Sequence, residues 1–171
     1  MLLQHEEKKD APTGVTEAFR LDLAPHLSGN LVLVKLELHD SAGSLVSDNL
    51  YWLGGASADY RKLNHLPMAQ LAVTTSAAHE KDLVKIHVRA ENIGNTAAIE
   101  TKFTLLESDG VTRVLPAYYG DNYVSLLPGE SREIDIESPS SSVKTGLTLG
   151  LRGWNVSEKV VKVGGEKWPG A

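Results

Sequence analysis

The sequence predicts an all-β protein: an immunoglobulin-like antiparallel β-sandwich, with an additional partial sandwich or β-hairpin region on its N-terminal side. Three observations predict it. Apolar and polar residues alternate with period two through most of the chain, as half-buried strands require. Gly, Pro, Asn and Asp interrupt these runs about every 8–14 residues with turn chemistry. No amphipathic helical pattern of roughly ten residues or more separates them.

In chain order, Phe19, Leu21 and Leu23 form a short alternating run. Leu31 to Leu38 starts as a continuous apolar run and settles into Leu36 and Leu38 against Lys35 and Glu37. The Asp40-Ser41-Ala42-Gly43 connector then leads into a strand over Leu45 to Leu53. Asp59 to Leu66 is the one helical turn, ended by Pro67. From Leu83 to Glu91, Val84, Ile86, Val88 and Ala90 share one face, while Lys85, His87, Arg89 and Glu91 share the other. Asn92 to Asn95 turns the chain into Ile99 to Glu107, where Ile99, Phe103 and Leu105 face inward and Glu100, Lys102 and Thr104 outward. Ser108-Asp109-Gly110 is the next connector, and Pro128-Gly129 suits the centre of a type II turn, because proline presets φ and glycine accepts a positive one. Arg132 to Glu137 alternates through Ile134 and Ile136, and Leu147, Leu149 and Leu151 continue the pattern. Two segments, 36–53 and 104–126, echo each other: each is a strand, an Asp/Gly turn and then an Asp-Asn pair, Asp48-Asn49 or Asp121-Asn122, placed to cap the aromatic strand that follows it through nearby backbone N–H groups.

These elements divide the chain into residues 1–53, the last strands of a preceding and partial sandwich; 54–69, a linker with a short helical turn; 70–163, a complete sandwich of about seven strands; and 164–171, a tail. The front strands are too few to bury two inner faces. Leu31, Leu33 and Leu36 therefore need cover from the complete sandwich or from a second copy, which would make a homodimer through the front region.

Composition excludes several functions. The 171 residues are too few for a catalytic (β/α)8 barrel of about 250. With 22 acidic against 17 basic side chains and no basic cluster longer than Lys8-Lys9, nucleic acid is not an expected partner. Apolar stretches fall far short of the roughly 20 residues that would cross a membrane, so no membrane partner is expected either. Without cysteine there is no disulfide or thiolate chemistry. Met1 to Pro12 lacks the basic start and apolar run of a secretory signal.

Catalytic and cofactor signatures are missing as well. Glu133, Asp135 and Glu137 share a strand face about 7 Å apart, within the range of glycosidase acid/base pairs, but their alternation with isoleucine marks a solvated outer face. The histidines His5, His26, His39, His65, His79 and His87 have no metal-ligand spacing, and no phosphate-cradling glycine loop or nucleophile elbow occurs, so neither a metal nor a cofactor is expected. Exposed aromatic rings are the remaining candidate, because pyranose rings stack on them. Tyr51, Trp52, Tyr118, Tyr119, Tyr123, Trp154 and Trp168 are available, with Trp52, Tyr118, Tyr119 and Trp154 as the candidate carbohydrate-binding set and packing as the competing role. Asn155-Val156-Ser157 is a formal glycosylation sequon.

The runs GSLVSDNLYWL, DYRKLNHLP, RAENIGNTAAIETKFTLLESDG, VLPAYYGDNYVSLLPGESREIDI and LRGWNV, in this order, closely resemble the C-terminal β-sandwich region of glycoside hydrolase family 2 enzymes of the exo-β-D-glucosaminidase and β-mannosidase type. The resemblance covers roughly Phe19 to Val156 and implies a non-catalytic accessory sandwich whose partners are the catalytic barrel and neighbouring domains, with polysaccharide as a further partner if the aromatics bind sugar. It places the family's two catalytic glutamates in the barrel, and no position here matches their motifs.

Overall fold

The computed structural model describes residues 4–164, apart from 11 and 16. Trp168 lies outside the described residues. The chain forms two compact units, residues 1–65 and 66–171.

The first unit holds a short helix α1 (Ala24–Leu27), strands β1 (Leu31–His39) and β2 (Leu45–Gly54), and a 3-10 helix over Ser57–His65. Phe19 to Leu23 is not a strand: Asp22 Oδ1 accepts the Ala24 N–H at 3.0 Å and Pro25 presets a helical φ, so this run leads into α1. β1 and β2 pair antiparallel from Leu31 opposite Gly54 to Leu38 opposite Ser47. Asp40 closes their turn by accepting the N–H groups of Ala42 and Ser44 on Oδ1, at 2.9 and 2.8 Å. On one hairpin face Leu36, Leu38 and Tyr51 stay exposed. Two strands alone leave such a face without an opposing layer.

The second unit is a sandwich. One sheet orders β3 (Leu71–Glu80), β4 (Leu83–Asn92), β8 (Ser131–Pro139) and β6 (Tyr118–Tyr119). The other orders β10 (Lys159–Lys162), β9 (Leu147–Arg152), β5 (Ala98–Glu107) and β7 (Val124–Leu126). Both contribute to one buried cluster, with Val84, Ile86 and Val88 from β4, Ile134 and Ile136 from β8, and Phe103, Leu105 and Leu149 from β5 and β9. The alternation of these strands therefore reports the core face directly. Eight strands are seen among the described residues where about seven are expected, because β6 and β7 span only two and three residues.

One expectation about β5 is corrected. Its register against β7 shifts between Ala98 and Thr101, and Glu100 has φ +50°, so a bulge interrupts the alternation. Ala98 joins the inter-sheet cluster in place of Ile99, which is buried outside it. The bulge is held from three sides: Ile99 N–H donates to Asn155 Oδ1, Ile99 O accepts the Trp154 N–H, and Glu100 N–H donates to the Ser125 hydroxyl. The following inward residue, Thr101, is fully buried, and its Oγ1 meets no partner among the described residues. Thr101→Val is therefore expected to raise the urea unfolding midpoint by an amount equivalent to about 1 kcal/mol, since the hydroxyl is desolvated without compensation.

Asparagine side chains tie the edges and ends of the sandwich. Asn122 does not simply cap its own strand: its amide donates to Phe103 O at 3.0 Å and accepts Phe103 N–H at 2.8 Å, standing in for a neighbouring strand beyond the end of β7. Asn92, fully buried, donates to Thr96 O and Leu126 O at 2.8 and 2.9 Å and accepts Gly94 N–H. Both arrangements satisfy backbone groups that would otherwise be left without partners.

Candidate functional site

The two sheets present outer faces of opposite character. On the β4–β8 face three successive outward rungs set a basic side chain against an acidic one: Lys85 faces Glu137, His87 faces Asp135 and Arg89 faces Glu133. The closest approaches are 3.8, 2.9 and 3.9 Å, and Lys85 also meets Glu80 at 2.7 Å. That hydrogen bond and the charge of Glu80 hold the Lys85 ammonium above its ordinary pKa. The three carboxylates thus stand in solvent beside basic side chains, without the burial in a cleft that a general acid needs.

The candidate aromatic residues fall at separate places. Trp52 lies on β2 in the first unit, half-buried and opposite Leu33. Tyr119 faces Ile136 and packs against the core, and its hydroxyl accepts the Leu105 N–H at 2.8 Å. Burial pushes its phenol above the usual tyrosine range, against the pull of that hydrogen bond. Tyr118 is 64% exposed at the outer edge, opposite Glu137. Trp154 is 56% exposed on the turn after β9, where its N–H donates to Ile99 O. Tyr118 belongs to the far end of β8 from Ser131, whereas Trp154 sits at the end where β4 finishes and β5 begins, so about 20 Å of strand separates the two ends. Within the second unit, Tyr118, Tyr119 and Trp154 do not share one platform.

Among the described residues no cluster of His, Asp and Glu is arranged to hold a metal. Asn155, the sequon residue, is buried, and its Nδ2 donates to Pro67 O at 2.9 Å and Ala97 O at 2.8 Å. The amide nitrogen is committed to backbone and is not offered as a glycan acceptor in the folded chain.

The β5–β9–β10 outer face holds a shallow depression of about 240 Å³. Gly150 forms its floor: a Cβ there would come within 2.9 Å of Leu106 Cδ1. Lys102, Arg113, Arg152 and Glu158 bring charge to its rim, and Val111 and Val160 add exposed apolar surface. Lys102 and Arg152 stand directly opposite each other across β5 and β9. The rim loop is fastened by Asp109, which accepts the Thr112 hydroxyl at 2.6 Å and the N–H groups of Val111 and Thr112, holding its carboxyl below the usual range. The sequence placed Lys102 on an outward face, but the strand register that sets Arg152 opposite it is not legible in one sequence.

A family model described as the exo-β-D-glucosaminidase Ig-fold domain matches residues 49–156. The exo-β-D-glucosaminidase of Streptomyces avermitilis is 30% identical, the match covering 75% of this chain and 17% of that protein. The enzyme of the same name from Hypocrea jecorina is 28% identical, with 78% and 17% covered. A mannosylglycoprotein endo-β-mannosidase of Lilium longiflorum is 51% identical over 49 residues, which are 28% of this chain and 5% of its own. The crystal structure of an exo-chitosanase from Amycolatopsis orientalis superposes with a TM-score of 0.71 at 26% identity, over 78% of this chain and 18% of that one. This chain spans about a sixth of the length of these exo-β-D-glucosaminidases.

Proposed function

Because the chain belongs to the exo-β-D-glucosaminidase Ig-fold domain family, we propose that it is a non-catalytic accessory sandwich of an exo-acting glycoside hydrolase, supporting a catalytic barrel. The observation that carries this reading is the extent of the match: the family model takes residues 49–156, and the relatives are left with more than four-fifths of their own length unmatched. The carboxylates of β8 stand on an open, solvated strand face and not in a cleft, which agrees with a supporting role. Incubation of the chain with p-nitrophenyl β-D-glucosaminide is expected to release no nitrophenol above the buffer rate; turnover abolished by Glu133→Gln or Glu137→Gln would overturn the proposal.

The exposed hairpin face of Leu36, Leu38 and Tyr51 supports a neighbouring domain of the longer enzyme as its cover. In the isolated chain the same face is expected to drive self-association. Sedimentation at about 100 µM should show a species larger than a monomer, returned to monomer by Leu36→Lys with Leu38→Lys. A wild-type monomer at that concentration would count against it.

Exposed Tyr118 and Trp154 favour a second reading, sugar binding at individual rings. Titration with glucosamine oligosaccharides while following tryptophan fluorescence tests Trp154; an unchanged spectrum at millimolar ligand removes that residue from the reading.

A further inference from the structure

We infer that the depression on the β5–β9–β10 face is a docking site for an acidic, extended segment of a protein partner. A like-charged pair placed directly across two strands destabilises a sheet, and Lys102 opposite Arg152 is such a pair. Among the described residues no carboxylate forms an ion pair with Lys102, Arg113 or Arg152, and the nearest relief is the Tyr123 ring, 5.5 Å from Lys102 Nζ. The opposite sheet shows that this chain can do otherwise, because Lys85 and Arg89 of β4 there each face an acid on β8. A chain of net charge −5 thus gathers three cations against the single carboxylate of Glu158 around one concavity, an excess of positive charge. That charge complements carboxylates brought by a partner.

The lining selects among anions. It contains no aromatic ring for a sugar to stack on, and its cations repel the ammonium groups of glucosamine polymers. Leu106, Val111 and Val160 instead offer apolar contacts between the charges, as an extended segment with acidic and apolar residues in turn at every second position would use on its facing side. The concavity is prepared in advance: Gly150 leaves the floor open, Gly110 at φ +71° turns the rim loop against Val160, and Asp109 fastens that loop.

The test uses the full 15N-labelled chain, an acetylated peptide with glutamate and valine in turn at every second position and serine between them, and its counterpart with lysine in place of glutamate. Saturable amide shifts confined to Lys102, Thr104, Arg113, Gly150 and Arg152 are expected with the acidic peptide, weakening several-fold between 50 and 200 mM salt. Arg152→Glu should reduce affinity at least tenfold while raising the thermal midpoint by about 1–4 °C, because a like-charged rung becomes an ion pair. Arg113→Gln, at an exposed position, should weaken binding without moving the midpoint and serves if the first variant misfolds. The proposal is overturned by shifts that are absent or lie elsewhere, by equal shifts with the lysine peptide or a glucosamine hexamer, by the same shifts from sodium glutamate alone, or by an Arg113→Gln variant that binds as tightly as the wild type.

Discussion

Replacing Asn155 by alanine is expected to cost about 3–5 kcal/mol of unfolding free energy, a large share of the roughly 5–15 kcal/mol that holds a domain of this size. The residue is 2% exposed, and its side chain serves three backbone groups: Ile99 N–H at 3.0 Å, Pro67 O at 2.9 Å and Ala97 O at 2.8 Å. Alanine leaves one donor and two acceptors buried, each worth about 1–3 kcal/mol when unsatisfied, with some recovery as water enters. The same substitution removes one of the three bonds that hold the β5 bulge, so the loss should spread beyond the turn itself. Urea denaturation measures it as a lowered midpoint. Asn155→Asp sharpens the test, because its carboxylate still accepts from Ile99 but turns an oxygen toward the carbonyls of Pro67 and Ala97; it should be no more stable than the alanine variant at pH 7. Ser157→Ala destroys the sequon without touching these bonds and should be neutral. A loss below about 1 kcal/mol in Asn155→Ala would show that these hydrogen bonds do not hold the end of the sandwich.

The second large effect is expected at Glu107, a buried carboxylate at the end of β5. Its Oε2 accepts the Thr145 hydroxyl at 2.7 Å and the Thr145 N–H at 2.9 Å, while Oε1 accepts the Lys144 N–H at 3.1 Å. Burial acts to raise its pKa, but these three donors outweigh it, and the carboxyl lies below its ordinary value of 4.5. A carboxyl depressed on folding stabilises the native state fully above the unfolded value, and that contribution is lost as pH falls through the folded one. Stability should therefore be flat from about pH 7 to 5 with respect to this group and decline below 4.5. Glu107→Gln replaces an acceptor by an NH2 group facing other donors and should cost about 2–4 kcal/mol at pH 7. Thermal unfolding at a series of pH values provides the check: the gap between wild type and variant should be widest at neutral pH and narrow on acidification. A gap independent of pH would mean that the ionised carboxylate is not the stabilising form.

How much of this was legible in the sequence follows from the range of the interaction concerned. Val84, Ile86, Val88, Ile134, Ile136 and Leu149 declare their face by period two alone, because a strand half-buried in a sandwich has no other way to place them. The Asp40 turn is equally local, its bonds reaching two and four residues along the chain. The family resemblance was also available there, and the matched segment 49–156 carries it.

What the sequence alone determined, then, was the sandwich, most of its strands and the identity of the core face, since those depend on near-neighbour periodicity and turn chemistry. The tertiary structure alone decided the bulge that exchanges Ile99 for Ala98, the two short strands β6 and β7, and the roles of Asn122, Asn155 and Glu107. Each rests on bonds between segments 14 or more residues apart, whose pairing register no local pattern encodes. For the same reason Tyr119, one of four candidate rings, could be assigned to the interior only once its hydroxyl was seen on Leu105. Lys102 and Arg152, unremarkable apart, became the center of a charged docking face only when two strands set them side by side.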